Sequence, residues 1–424
     1  MPDIKTREIA KGTVKAIDKS AVAAERMKSA YIRTKDKADH SLYSAEGSPD
    51  EYAADRVSGG TETAARETVR QLDKFGRKGV KDTKENISKA KDHFQQKKAN
   101  FPKKQAQKSK YDIIPIGITR NGDWYHYKGR YENIANNTWS GDRDNLYPVT
   151  VSVSHSQKGI WEFDEDQYTA VHIDLVFPIL HGKNGEDGTL QGMFELSGIP
   201  VIGCNTLASA LCMDKDRAHK LVSLAGVKVP KSVTFKRSEK NTALKKIETE
   251  LSYPLFVKPV RAGSSFGITK VTEQAEINTA IESAFEHDTE VIVEEAIGGF
   301  EVGCAILGID NLTVGRIDEI ELSNGFFDYT EKYTLKTSKI HMPARLSPKE
   351  EKRVQETAVA IYKALGCSGF ARVDMFYTPS NEIIFNEVNT IPGLTSHSRY
   401  PNMMKGIGLS FADMLDKLIS LYVE

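Results

Sequence analysis

The spacing of hydrophobic positions divides the chain into stretches of different texture. Over residues 1–110 apolar residues come only as short clusters among Lys, Ala, Ser and Asp, punctuated by Ser48-Pro49 and Gly59-Gly60. Ala, Glu, Lys and Gln dominate residues 61–100, a composition that favours exposed helix. This stretch reads as a polar extension, partly helical or disordered, without a large core. From Tyr111 the runs lengthen. Ile113–Ile118 ends at Asn121-Gly122 and predicts a strand and a turn. Val171–Leu180 predicts a buried strand with His181-Gly182 at its end, Leu190–Leu196 a helix, and Pro200–Gly203 a short strand. Alternation of strand and helix predicts an open α/β layer.

A second texture starts near Met213. Asp214–Ala225 predicts a helix closed by Gly226, Leu255–Val257 a strand, residues 273–286 a helix and 291–295 a strand, an α+β arrangement. In the third, Val354, Ala358, Ile361 and Leu365 recur at helical spacing before Gly366. Phe370–Tyr377 and Glu382–Val388, joined by Thr378-Pro379-Ser380-Asn381, predict an antiparallel hairpin, and residues 410–422 an amphipathic helix. The expected domains are 1–110, 111–212, 213–309 and 310–424.

Composition sharpens this picture. Formal net charge is zero over 424 residues, yet residues 1–110 hold 26 Lys and Arg against 16 Asp and Glu, so a basic front balances an acidic body. No apolar run reaches membrane-spanning length, and the first residues lack the apolar stretch of a secretory signal. Cys204, Cys212, Cys304 and Cys367 form no CxxC pair, which predicts buried free thiols in a cytoplasmic protein. The lysines from Lys97 to Lys110 read as a solvated basic tail or as a contact for an anionic surface or nucleic acid, without interleaved aromatics.

Five groups of residues carry candidate chemistry. Period two puts Arg372 and Asp374 on one face of their strand and Glu387 and Asn389 on one face of the next. Two carboxylates and an amide oxygen suit Mg²⁺, with phosphate and water completing its shell. The turn Thr390-Ile391-Pro392-Gly393 and the hydroxyls and cation of Thr395–Arg399 suit an anion or oxyanion. Lys258 with Gly263–Gly267 suits a phosphate, although no GxxxxGK[ST] loop is present. Glu294 and Glu301 are candidate ligands for a base and a ribose. Phe326 to about Pro343 lacks periodicity and reads as a lid. His181–Gly188 follows a predicted strand, where open sheets bind ligands.

Taken together, HGKNGEDGTLQG (181–192), Met213-Asp214-Lys215, VKP with AGSSFG (257–267), EKY (331–333), ARVDMF (371–376) and NEVNTIPGLTSHSRYP (386–401) resemble the D-alanine–D-alanine ligases of the ATP-grasp fold, over about Tyr111 to Glu424. The stretch EKYTLKTSKIHMPA (331–344) is most similar to the VanG-type D-alanine–D-serine ligases of vancomycin resistance. The resemblance implies an ATP-dependent ligase of peptidoglycan precursor synthesis. In such a ligase the first D-alanine becomes an acyl phosphate, and the amine of a second D-alanine or D-serine attacks it. It implies Lys215, Lys258, Ser265 and Lys332 at the ATP phosphates, and Glu294, Ile297 and Glu301 at adenine and ribose. Asp374, Glu387 and Asn389 would hold two Mg²⁺, with Mn²⁺ as a substitute. Arg372 and the Gly393 N–H would face the oxyanion, Ser264, Tyr333 and His181 the first substrate, and Ser398 and Arg399 the carboxylate of the second. A homodimer follows from the family's habit.

The chain also departs from that pattern. The family opens with a strand, a glycine- and serine-rich turn bearing a glutamate, and a helix; nothing before Tyr111 matches. The expected fold is therefore an ATP-grasp ligase with a truncated N-terminal α/β layer behind an unrelated extension. The competing expectation is an impaired fusion that binds ATP and Mg²⁺ but lacks the first-substrate anchor, its basic tail binding a partner or nucleic acid.

Overall fold

The computed structural model describes residues 110–263, 266–322, 338–395 and 397–423. The expected extension up to residue 109 and most of the expected lid lie outside them. Among the described residues, helices and three sheets mix α/β and α+β character, as expected.

Sheet one is an antiparallel meander in chain order: β1 (Ile116–Ile118), β2 (Trp124–Tyr127), β3 (Leu146–Val151), β4 (Gly159–Asp164) and β5 (Gln167–His172). The predicted turn after β1 is present, with Gly122 at φ 90°, where a side chain would be strained. A short helix, α1 (Tyr131–Ala135), packs Ile134 against Tyr127.

The expected strand Val171–Leu180 is a correction. β5 ends at His172, and the rest of that run makes one parallel bridge, Val176 to Val201. There the Val176 N–H donates to Pro200 O and the Ile202 N–H to Val176 O. The run is apolar because it is buried on two sides. Val176 and Leu180 pack with Leu190 and Phe194, while Leu175 and Phe177 pack with the C-terminal helices. Burial on both sides gives the hydrophobic signature of an inner strand without its ladder. The open α/β layer is thus reduced to this bridge beside α2 (Thr189–Ser197), α3 (Thr206–Met213) and α4 (Lys215–Leu224). Asn205 caps α3 and Asp214 caps α4, each side chain accepting a backbone N–H of the first turn.

Sheet two has the order β6-β9-β7-β8, all antiparallel: β6 (Ser232–Lys236), β7 (Leu255–Pro259), β8 (Thr269–Val271) and β9 (Glu290–Glu295). One face packs Val233, Phe235, Leu255, Val257, Val291 and Val293 onto Ala243 and Ile247 of α5 (Lys240–Glu250) and Ala280, Ile281 and Ala284 of α6 (Ile277–Phe285). Period two leaves Phe256, Lys258, Ile292 and Glu294 on the other face.

Sheet three runs β12-β11-β10-β13-β14: β10 (Phe300–Leu307), β11 (Thr313–Leu322), β12 (Ser338–His341), β13 (Phe370–Tyr377) and β14 (Ile383–Asn389). Helices cover both its faces. Val302, Cys304, Ile306, Val373 and Met375 meet Val354, Ala358 and Ile361 of α7 (Pro348–Ala364), the helix read from spacing. Ala305, Leu307 and Phe370 meet Tyr400, Met403 and Met404 of α8 (Arg399–Gly406) and Met414 and Leu418 of α9 (Phe411–Ser420). Such two-sided burial erases alternation from β10, which the sequence therefore did not reveal. β12 falls inside the segment read as aperiodic.

All four cysteines are free and buried, with Cys212 Sγ 3.6 Å from Cys367 Sγ. Among the described residues no helix is long and apolar enough to cross a membrane. At the front of the described chain, the Tyr111 hydroxyl donates to Asp416 of α9 at 3.0 Å, and the Lys110 ammonium reaches the same carboxylate.

Phe370 stacks edge-on with both Phe177 and Tyr400 and is fully buried. Phe370→Ala is expected to lower unfolding free energy by about 3–5 kcal/mol, read from urea denaturation.

Candidate active site

Strand register builds the first half of the site. Glu387 on β14, Asp374 on β13, Gly303 on β10 and Asp318 on β11 stand opposite one another in a row across sheet three. Three acidic residues thus share one row with a glycine between them. The Arg399 guanidinium of α8 lies over that glycine: a Cβ there would sit 2.3 Å from Arg399 Nη2 and 2.7 Å from Asp318 Oδ1. Arg399 donates to Asp318 through Nε at 2.8 Å and Nη2 at 2.7 Å, and to Glu301 through Nη1 at 2.8 Å. Its Nη1 is also 3.3 Å from Asp374 Oδ1. Burial opposes the Arg399 charge, but Asp318 and Asp374 outweigh it, and the group stays firmly protonated.

The resemblance puts Arg399 at a substrate carboxylate and Glu301 at a ribose, and the structure brings these two side chains together. The structure directs the guanidinium into the sheet, against Asp318 and Glu301, because α8 begins directly above Gly303. Asp318 has little trace in the sequence; its only signal is an acidic residue inside the strand pattern VGRIDEIEL.

One row further along, Arg372 stands opposite Asn389. Arg372 reaches Asp374 through Nε at 2.8 Å and Nη2 at 2.7 Å, and Asn389 Nδ2 donates to Asp374 Oδ2 at 2.8 Å. Since the amide nitrogen of Asn389 is engaged, its oxygen is the atom that remains for a cation. Glu387, opposite Asp374, is half-buried. The donor set is two carboxylates and one amide oxygen, hard ligands in the small number that Mg²⁺ takes when phosphate supplies the rest. Among the described residues no larger group of His, Cys, Asp and Glu could hold a metal ion.

The expected anion turn follows β14. The Thr395 N–H donates to Ser398 Oγ at 3.0 Å, and the Ser398 N–H to Thr395 O. A Cβ on Gly393 would stand 2.8 Å from Ser398 Oγ, so Gly393 and Ser398 are brought together.

Sheet two supplies the other half. On the face opposite α5 and α6 the Lys258 ammonium donates to Glu294 Oε2 at 2.5 Å. Lys215, at the first turn of α4, donates to Ala262 O at 2.8 Å, beside the loop that follows β7. Burial pushes the Glu294 carboxyl up, but Lys258, His219 and Lys215 outweigh it and hold it below the usual carboxylate range. His219, on α4, belongs to no motif in the sequence. Its Nε2–H donates to Asn386 O of β14 at 3.0 Å, and its Nδ1 lies 3.6 Å from Glu294 Oε1. His219 Nδ1 and Glu294 Oε1 are buried without a hydrogen-bond partner. Ile297 is half-buried in the connection to β10.

A third element is the loop that precedes α2. A Cβ on Gly263 would meet Gly182 Cα at 3.3 Å and Glu186 Oε2 at 3.6 Å, so the loop after β7 lies against the His181–Gly188 loop. The Gly182 N–H donates to Glu186 Oε2 at 2.6 Å. Burial pushes the Glu186 carboxyl up against the opposing pull of His181 and that N–H. His181 itself is exposed. Ser264, Ser265, Lys332 and Tyr333 lie outside the described residues.

Residues 99–204 match the family described as D-ala D-ala ligase N-terminus, and residues 221–420 match D-ala D-ala ligase C-terminus. The chain is 42% identical to a D-alanine–D-alanine ligase of Caldicellulosiruptor bescii, covering 75% of this chain and 87% of that protein. It is 44% identical to the vancomycin B-type resistance protein VanB of Enterococcus faecalis, over 74% and 90%. Its fold is similar to the crystal structure of VanG D-Ala:D-Ser ligase from Enterococcus faecalis, with TM-score 0.70 and 74% identity, covering 74% of this chain and 90% of that one.

Glu294 ionises below its ordinary value, so it adds stability above the ordinary carboxylate range that is lost as pH falls through the depressed pKa. Lys258→Met is expected to lower Tm at neutral pH and to start acid unfolding at higher pH, checked by thermal melts across acid pH. Gly303→Ala is expected to cost roughly 3 kcal/mol in urea denaturation, because the guanidinium must leave its carboxylates.

Proposed function

The chain belongs to the D-alanine–D-alanine ligase family, and from that premise we propose that it joins D-alanine to D-serine with ATP. The 74% identity to VanG D-Ala:D-Ser ligase supports D-serine as the second substrate. The observation that carries the reading is the register of β13 and β14. It gathers Arg372, Asp374, Glu387 and Asn389 on one face, while Lys258, Glu294 and Lys215 cluster at the neighbouring sheet.

In this reading Lys215 and Lys258 hold nucleotide phosphates, joined by Ser265 and by Lys332 of the lid. Glu294, Ile297 and Glu301 receive the base and ribose. Asp374, Glu387 and Asn389 hold two Mg²⁺, which supply charge neutralisation for phosphoryl transfer. The carboxylate of the first D-alanine, placed by His181, Ser264 and Tyr333, takes the γ-phosphoryl group. The amine of the second substrate, whose carboxylate lies at Ser398 and Arg399, attacks that carbon, and phosphate leaves. Arg372 and the Gly393 N–H oppose the charge that develops on the oxygen. Arg372 is already fixed in direction by its paired bonds to Asp374, so little reorganisation accompanies the reaction. The protein works in the cytoplasm as a homodimer, with 111–212, 213–309 and 310–424 as ligase domains behind the basic segment.

Full-length protein given ATP, Mg²⁺, D-alanine and D-serine is expected to release phosphate and D-alanyl-D-serine, identified by mass spectrometry. Arg372→Ala is expected to reduce that rate by about 10²–10³-fold. Release of D-alanyl-D-alanine alone would reject the second substrate; no dipeptide from folded chain would reject the ligase reading.

A further inference from the structure

His219 belongs to none of the roles above, yet it stands where both halves of the site meet. Its ring is 4% exposed, on α4, between β9 and β14. Glu294 on β9 is the charged group that faces it, and Lys258 on β7 and Lys215 at the head of its own helix act on that same carboxylate. From β14 it receives the Asn386 carbonyl and the edge of the Phe385 ring, with centroids 5.4 Å apart.

A carbonyl can only accept, so the bond to Asn386 fixes a proton on Nε2. The neutral ring then points the Nδ1 lone pair at Glu294 Oε1, 3.6 Å away. Two buried acceptors facing each other without a donor are costly. Both atoms are sealed from solvent, so a proton on Nδ1 is the species that satisfies both. The Lys258 ammonium, held on the other oxygen of Glu294, works against such a proton by adding a second positive charge. A nucleotide phosphate competes for that same ammonium and brings negative charge of its own.

Resting on the nucleotide reading of Lys258 and Glu294, we infer that His219 is a positioning residue that takes up a proton from solvent when nucleotide binds. With Lys258 turned to phosphate, the protonated Nδ1 donates to Glu294 Oε1, and Nε2–H keeps its bond to Asn386 O. Glu294 stays ionised and fixed in direction, and β9 is tied through His219 to the strand that carries Glu387. Uptake of a proton on binding means that affinity rises as pH falls.

The experiment is calorimetric titration of the full chain with MgADP in buffers of different ionisation enthalpy. At about pH 7, net proton uptake is expected on binding, read as a heat that varies with the buffer's ionisation enthalpy. His219→Gln reproduces the Nε2–H donor without a titratable site, so the protein should still bind MgADP while the buffer dependence disappears. Binding with heat that does not vary between buffers overturns the inference and leaves the nucleotide reading intact. Proton uptake that persists in His219→Gln overturns it too, by assigning the proton elsewhere. Folded chain that gives no binding heat and fails to displace a fluorescent ADP analogue overturns the nucleotide reading itself. If His219→Gln does not fold, the wild-type heats still decide, since buffer-independent heat is sufficient to reject the inference.

Discussion

One guanidinium organises sheet three. Arg399 lies over Gly303 and bonds Asp318 and Glu301, with Asp374 within reach. Without that cation, Asp318 would be a buried carboxylate stripped of its ion pair and Asp374 would rely on Arg372, a cost on the order of several kcal/mol. With it, Asp374 keeps a fixed direction and in turn orients Arg372 and Asn389. The arrangement needs a residue without a side chain at 303 and a helix that starts directly above it. Ser398 serves both ends: it precedes α8 and closes the turn that carries Gly393.

Much of this is legible in the amino-acid sequence. The hairpin of β13 and β14 can be read because alternating polar residues on a half-buried strand leave a period-two trace, and its turn residues mark the loop. α7 and α9 are legible for the corresponding reason at helical spacing. What escapes is whatever is buried on both sides. β10 and the run Val171–Leu180 look alike in composition, yet one is an inner strand and the other has a single bridge. Hydrophobicity reports burial and not ladder partners. The burial of Arg399 is equally hidden: nothing beside it in sequence marks it, and the missing side chain at Gly303 across the sheet is what leaves room for its guanidinium.

Sheet two and sheet three are joined differently from the way each is built. Where α4 lies between them, the contact is polar: Lys258 to Glu294, Glu294 beside His219, and His219 to Asn386. Directional bonds of this kind hold a geometry only while every partner is present. That makes the joint responsive to whatever occupies it, in a way an apolar contact would not be.

The separation of the apolar clusters has a consequence for how such a protein can change over generations. The cluster beneath sheet two shares no member with those on either side of sheet three. A substitution that reshapes one cluster touches no member of the other, so effects in the two are expected to add. Each half is free to drift, to gain stability or to lose it, on its own account. The few polar residues at the joint are then the places where the two histories must agree.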